Sequence, residues 1–228
     1  SLGYQAGNAG WNNTFVGHRA GYAAGTSDWN TFIGAEAGPD NTTGTDGVFI
    51  GTLAGARNTT GTNNTFIGTA SGHANTTGEK NLFLGFYSGI HNVSGSENTF
   101  LGYTAGRNNT TGTRNVYVGR STGVLNNGSN NVFIGYDAAD SVTDENNRLY
   151  IANNAITSTQ LIAGDFAAKT LKISGTLSKT AGTFLIDHPL DPENKILRHS
   201  FVESPEPLNI YSGTARLNQG KAEIPLPD

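Results

Sequence analysis

Along the first 135 residues, pairs of adjacent apolar residues recur at a fixed spacing between polar and glycine positions. An aromatic column holds Phe15, Phe32, Phe49, Phe66, Phe83, Phe100, Tyr117 and Phe133. Beside it runs an aliphatic column of Val16, Ile33, Ile50, Ile67, Leu84, Leu101, Val118 and Ile134. Each pair closes on a glycine, at intervals of seventeen residues from Gly17 to Gly119 and then after sixteen at Gly135. So short a unit cannot hold a helical hairpin or a propeller blade, but it suits one coil of a parallel β-solenoid. The expected coil has two short strands and two turns, the second strand carrying the small residues Ala20, Ala37, Ala54, Ser71, Ser88 and Ala105. Leu2 to Gly10 reads as a shorter first coil.

Successive side chains on a strand point to opposite faces, so one of the two columns fills the coil and the other stands outside it. The pattern does not say which. Coils stacked about 4.8 Å apart give an apolar strip roughly 38 Å long. That is more contiguous apolar surface than a soluble monomer usually shows. Burying eight such side chains is worth on the order of 10 to 20 kcal/mol as an upper figure. The strip predicts a partner, most simply the same strip on identical chains around a common axis.

Two asparagine columns punctuate the repeat. Asn13, Asn30, Asn64, Asn81, Asn98, Asn115 and Asn131 precede the strand, and Asn41, Asn58, Asn75, Asn92, Asn109 and Asn126 follow the second glycine. Asparagine tolerates left-handed backbone and can bond to its copy in the next coil. Gly44, Gly61, Gly78, Gly95 and Gly112 supply a further turn, and Gly128 comes one residue early. With 36% hydrophobic residues the chain is lean for a globular core, and its 31 glycines at fixed places explain the difference as ordered turns.

The period ends at Gly135. Residues 1–135 therefore read as the solenoid, 136–165 as a neck, and 166–228 as a proline-containing, β-rich antiparallel region. Strand candidates there are Arg148 to Ala152, Gln160 to Ala163, Leu171 to Ile173, Thr183 to Ile186, Leu197 to Val202, Leu208 to Tyr211, Thr214 to Leu217 and Ala222 to Leu226, with a turn at Asn218-Gln219-Gly220. Without an initiating methionine, and with partial patterns at both ends, the chain reads as a piece of a longer one.

The phrase Asn64-Thr65-Phe66-Ile67-Gly68, followed by small residues and glycine, resembles the repeat of trimeric autotransporter adhesin heads. Similar units with Asn-Thr-Thr-Gly turns occur in bacterial and phage tail-fibre proteins. The neck phrase Asn147 to Asn153, Leu161 to Phe166, Asp187 to Pro192 and Ser200 to Pro205 are similar to regions that follow such repeats. The resemblance implies a homotrimeric β-roll, an extracellular, cell-surface or particle-appendage location, and attachment to a host surface or glycan. The coil here is longer than in the adhesin heads and carries phenylalanine where they often have alanine.

The remaining residues narrow the chemistry. A net charge of −4 offers no basic stripe for nucleic acid. No apolar run is long enough to span a bilayer. His18, His73 and His91 occupy different repeat positions and read as solvated surface. Asp187, His188, Asp191, Glu193 and His199 form the only cluster with metal-ligand types, in a setting that reads as loop capping. Asp28, Glu36, Asp40, Asp46, Glu79 and Glu97 form no stacked pair of the kind glycoside hydrolysis uses. No catalytic, cofactor or metal role is expected. Trp11, Trp29 and Tyr22 are candidate contact residues that read more simply as local packing. Paired threonines (Thr42 and Thr43, Thr59 and Thr60, Thr76 and Thr77, Thr110 and Thr111) raise ice binding as a function of another class, although turn structure explains them. The expectation is a non-catalytic trimeric fibre or adhesin segment, with a tail fibre as the alternative parent.

Overall fold

The computed structural model describes residues 1–154 and 160–175, together with the backbone of 183–187 and 196–200. Contacts divide the chain into two units, Ser1–Thr176 and Leu177–Asp228. The described residues are all β, with no helix. Eight strands of three residues repeat along the first unit: β1 (Thr14–Val16), β2 (Thr31–Ile33), β3 (Val48–Ile50), β4 (Thr65–Ile67), β5 (Leu82–Leu84), β6 (Thr99–Leu101), β7 (Val116–Val118) and β8 (Val132–Ile134). They pair in parallel and in register, Phe opposite Phe and aliphatic opposite aliphatic. The molecule is a β-solenoid repeat protein.

Parallel stacking runs on across residue 135, because β9 (Arg148–Ile151) adds to β8 with Tyr150 opposite Phe133. The direction then changes. Strands β10 (Ile162–Asp165) and β11 (Thr170–Ile173) continue the same sheet antiparallel. In the second unit β12 (Thr183–Asp187) and β13 (Ile196–Ser200) form an antiparallel pair. The strand candidates beyond residue 202, the turn at Asn218, and the side chains of Asp187, His188, Asp191, Glu193 and His199 lie outside what is described.

Each coil has one strand, not the two expected. The segment through Ala20, Ala37 and Ala54 is a turn, because left-handed residues bracket it. One is the second residue after the strand glycine: Arg19, Glu36, Leu53, Ala70, Tyr87, Thr104, Ser121 and Asp137 have φ between 51 and 60°. The other is the glycine two places on. At Gly72 (φ 59°) an added Cβ would stand 2.7 Å from the Phe66 ring. A third left-handed residue per coil precedes the strand, at Asn12, Trp29, Asp46, Asn63, Lys80, Glu97, Arg114 and Asn130. Left-handed backbone costs an ordinary residue about 1 to 2 kcal/mol. The cost is offset locally, since both kinds of ordinary residue donate their N–H to the preceding coil, as Glu36 does to His18 at 2.8 Å and Asn63 to Thr45 at 3.0 Å.

The aromatic column is the interior. Phe15 through Phe133 are all buried, Tyr117 among them, and form one continuous stack with ring centroids 4.4 to 5.2 Å apart. Tyr150 extends the stack at 5.2 Å from Phe133. Each ring contributes its burial plus about 0.5 to 1.5 kcal/mol per stacked neighbour. Ala20, Ala37, Ala54 and Ala105, fully buried, face the rings. The core is thus one ring wide and nine rings long.

The asparagines provide ladders rather than left-handed turns. In one ladder Asn58, Asn75, Asn92 and Asn109 each donate Nδ2 to the Oδ1 of the preceding asparagine at 2.7 to 3.1 Å. In the other, Asn81, Asn98, Asn115 and Asn131 donate backbone N–H to the preceding Oδ1 at 3.0 Å. The two meet at shared acceptors, for example the Gly78 carbonyl, which takes Asn64 Nδ2 at 2.7 Å and Asn75 Nδ2 at 3.0 Å. Every coil is therefore tied internally as well as to its neighbours.

The sixteen-residue coil is accommodated by a side chain. In a full coil a backbone carbonyl serves the turn of the preceding coil: Thr59 O accepts from the N–H groups of Thr42, Thr43 and Gly44 at 3.0, 3.1 and 3.3 Å. Next to the early Gly128, Asn127 Oδ1 takes that role for the preceding turn, accepting from Thr110 N at 2.8 Å and Thr111 N at 2.9 Å. The first asparagine ladder stops there. Asn126 donates to Glu145 O instead, and Asn109 Oδ1 is left buried without a partner.

Candidate functional surface

With the interior filled, any function of the solenoid lies on its outward columns. On each strand the residues before and after the aromatic one both point out. The aliphatic column is half-buried to exposed over all eight coils, with Ile33 and Ile134 at 37% and Leu84 at 45%. This resolves the alternative left open by the sequence: phenylalanine is inside and aliphatic outside. Beside it stand Thr14, Thr31, Val48, Thr65, Leu82, Thr99, Val116 and Val132, giving a sheet face two residues wide.

Round the corner from that face, one residue past the strand glycine, a row of large side chains stands exposed. Phe86 stacks on Tyr103 at 5.3 Å and on Tyr87 at 3.9 Å. The Arg120 guanidinium lies over Tyr103 at 5.8 Å and over Tyr136 at 5.1 Å, and its Nη1 donates to Tyr136 Oη at 2.6 Å. Sequence reading missed this row because its column has no constant residue type. The available signal was an aromatic or arginine after each strand glycine from Phe86 onward.

The other candidates fall elsewhere. Trp11 (78% exposed) and Trp29 stack on no ring among the described residues, whereas Tyr22 lies under Arg19 at 4.9 Å. The first threonines of the turns are structural: Thr42, Thr59 and Thr76 donate Oγ1 to a carbonyl of the next coil at 2.9 to 3.1 Å. His18 stacks on Tyr4, and His91 Nδ1 is 2.8 Å from Asn108 Oδ1. Burial, reinforced by Arg57 and His91, holds His73 below the usual histidine range. Among the described residues no three His, Asp or Glu side chains gather into a possible metal site, and no helix is long and apolar enough to cross a membrane.

The end of the solenoid carries a charged clasp. Arg148 Nη1 is 2.6 Å from Asp165 Oδ2, joining β9 to β10, and Tyr150 Oη donates to Glu145 Oε2 at 2.6 Å. Burial, then the Glu145 contact, push Tyr150 up to about 12. Asp165 is held below the usual carboxyl range by the Ala168 and Ala167 N–H groups and by Arg148. An apolar cleft of about 450 Å³ opens nearby between Ile134, Ile151, Ala152 and Leu161. These contacts fasten a sheet and present no nucleophile, base and electrophile in mutual reach. No family model matches the chain, and no curated protein or solved structure is significantly similar to it.

Proposed function

We propose that this chain is a segment of a homotrimeric, non-catalytic fibre that works by stiffness and by multivalent attachment to a surface. The observation that carries the reading is the aliphatic column, repeated without a gap on the exposed sheet face of eight coils. Apolar exposure so uniform in register suits a seam between copies running the length of the rod. The stacked rings and asparagine ladders give such a rod its stiffness, and a trimer would present every outward column three times. Residues 136–165 then act as the neck joining rod to C-terminal β region. The location that fits is extracellular, as a cell-surface adhesin or as the tail fibre of a phage or injection particle. Ice binding is the weaker reading, because the first threonine hydroxyls close turns.

Light scattering tests the proposal directly. A solution mass three times the 23.9 kDa of the chain is expected. Replacing Ile50 and Ile67 by lysine should lower it to one chain while the β circular dichroism persists. A monomer in the unaltered chain overturns the reading.

A further inference from the structure

One outward column differs from all others in how it changes along the rod. After the strand glycine, coils two to four carry Ala35, Thr52 and Thr69, and the following coils carry Phe86, Tyr103, Arg120 and Tyr136. The turn has no need of those rings, since alanine and threonine hold the same place in the preceding coils. Nor does a full-length seam between copies account for them. Such a seam requires a uniform column, which the aliphatic residues supply. Tyr4 and His18 hold the same place at the other end, but four large side chains in consecutive coils from Phe86 to Tyr136, set apart from them by Ala35, Thr52 and Thr69, mark a local patch.

The patch is ordered before any partner arrives. Phe86 and Tyr103 stack, and Arg120 is fixed between Tyr103 and Tyr136 by the contacts already given, so little rotamer freedom remains to be lost on binding. The Arg120 charge is matched by Asp137 at 3.7 Å, which leaves little net field to attract an ionic polymer. Along one flank the buried Thr104 and half-buried Ser121 hydroxyls bond to each other at 3.2 Å, which holds the coils that carry Tyr103 and Arg120 in register. The clefts at the two ends of the solenoid include no residue of the patch, whose side chains stand on the outer surface rather than round a pocket of the kind in which a protein partner buries an anchor.

What remains is a flat row of aromatic edges, phenol hydroxyls and guanidinium N–H groups repeating about every 4.8 Å. Those groups complement a chain of ring units that is uncharged, hydroxyl-rich and partly apolar. We infer that the Phe86–Tyr103–Arg120–Tyr136 ladder binds a neutral polysaccharide lying along the rod. The inference rests on the adhesive-fibre reading and supplies its ligand class. Its failure is distinguishable from failure of that reading, because solution mass reports the trimer without reference to any glycan.

The test is an array of neutral and anionic glycans probed with the whole chain. Retention on at least one neutral glycan is expected, unchanged by added salt because no ion pair forms. Tyr103→Thr and Arg120→Ala should each weaken binding about tenfold, the scale of an interface aromatic or arginine. Tyr103→Thr installs a residue that the same position already carries two and three coils earlier, so its fold is safe. Extending the ladder with Thr52→Tyr and Thr69→Tyr should tighten binding. Absence of binding to every neutral glycan overturns the inference. So does binding unaffected by the variants, or binding confined to anionic glycans and lost in salt. Attachment to a host protein alone, with no glycan bound, would also overturn it.

Discussion

Inside and outside, the solenoid follows opposite rules. Within, across the eight three-residue strands, the central ring and the amide two residues before it recur with one substitution of type, Tyr117, and one gap, Gly47. Outside, the column after the strand glycine ranges over Tyr, His, Ala, Thr, Phe and Arg. The difference teaches where the fold is determined. An interior one ring wide has no second layer to absorb a change, so each coil must present its neighbours with the same shape and the same amide. The surface is under no such constraint and is free to vary from coil to coil.

The sharpest way to break the contrast is Phe66→Ala, which opens a hole in the ring stack between Phe49 and Phe83. It should cost about 3 to 5 kcal/mol, read as a lowered denaturation midpoint. Asn75→Ala comes next. It removes a group bonded to Asn58, Asn92 and Gly78, leaving partners unpaired in a dry interior at about 2 to 4 kcal/mol.

Two changes run the other way. At Gly47 the ladder lacks its amide, so Asn64 has no side-chain acceptor for its N–H and Gly61 O is served by Asn58 alone. Gly47→Asn would restore the amide, but its Cβ would stand 2.9 Å from Asn30 Oδ1, so that side chain must give way and the gain should stay below about 1 kcal/mol. The buried Tyr117 hydroxyl has only a loose contact with the Asn131 side chain, and burial outweighs it to raise the titration well above the usual tyrosine range. A phenol that ionises more readily unfolded than folded lowers stability as pH climbs past the unfolded value near 10. Tyr150, at about 12, acts in the same direction. The melting point should therefore fall between pH 10 and 12, and Tyr117→Phe should reduce that fall and gain about 1 kcal/mol at neutral pH. The smallest effect belongs to the surface: Tyr103→Thr should leave stability within about 0.5 kcal/mol.

The period, the strand positions and the register of the columns were all legible in the sequence, because identical residues at equal spacing must stack in parallel. Direction was not. Whether phenylalanine or isoleucine faced inward depended on the space left by Gly21, Gly38 and their equivalents; at Gly21 and Gly38 an added Cβ would stand 2.7 Å from a ring atom. The second strand was misread because small residues such as Ala20 fit a buried strand and a buried turn equally well. Left-handed positions such as Glu36 and Lys80 were invisible, since neither residue type advertises that conformation. The aromatic ladder escaped because column counting rewards constancy, and its column is inconstant.

Asn127 lets such a rod tolerate a coil of another length. A peptide group and an asparagine side chain are the same functional group, so an amide lost from the backbone can be returned by a neighbour. Across the shortened coil the Tyr117 and Phe133 rings remain 4.8 Å apart and within 2° of parallel. A deletion that would shift every later residue in an ordinary β-sheet is thus healed within one turn. A coil one residue shorter than its neighbours is absorbed without breaking the ring stack.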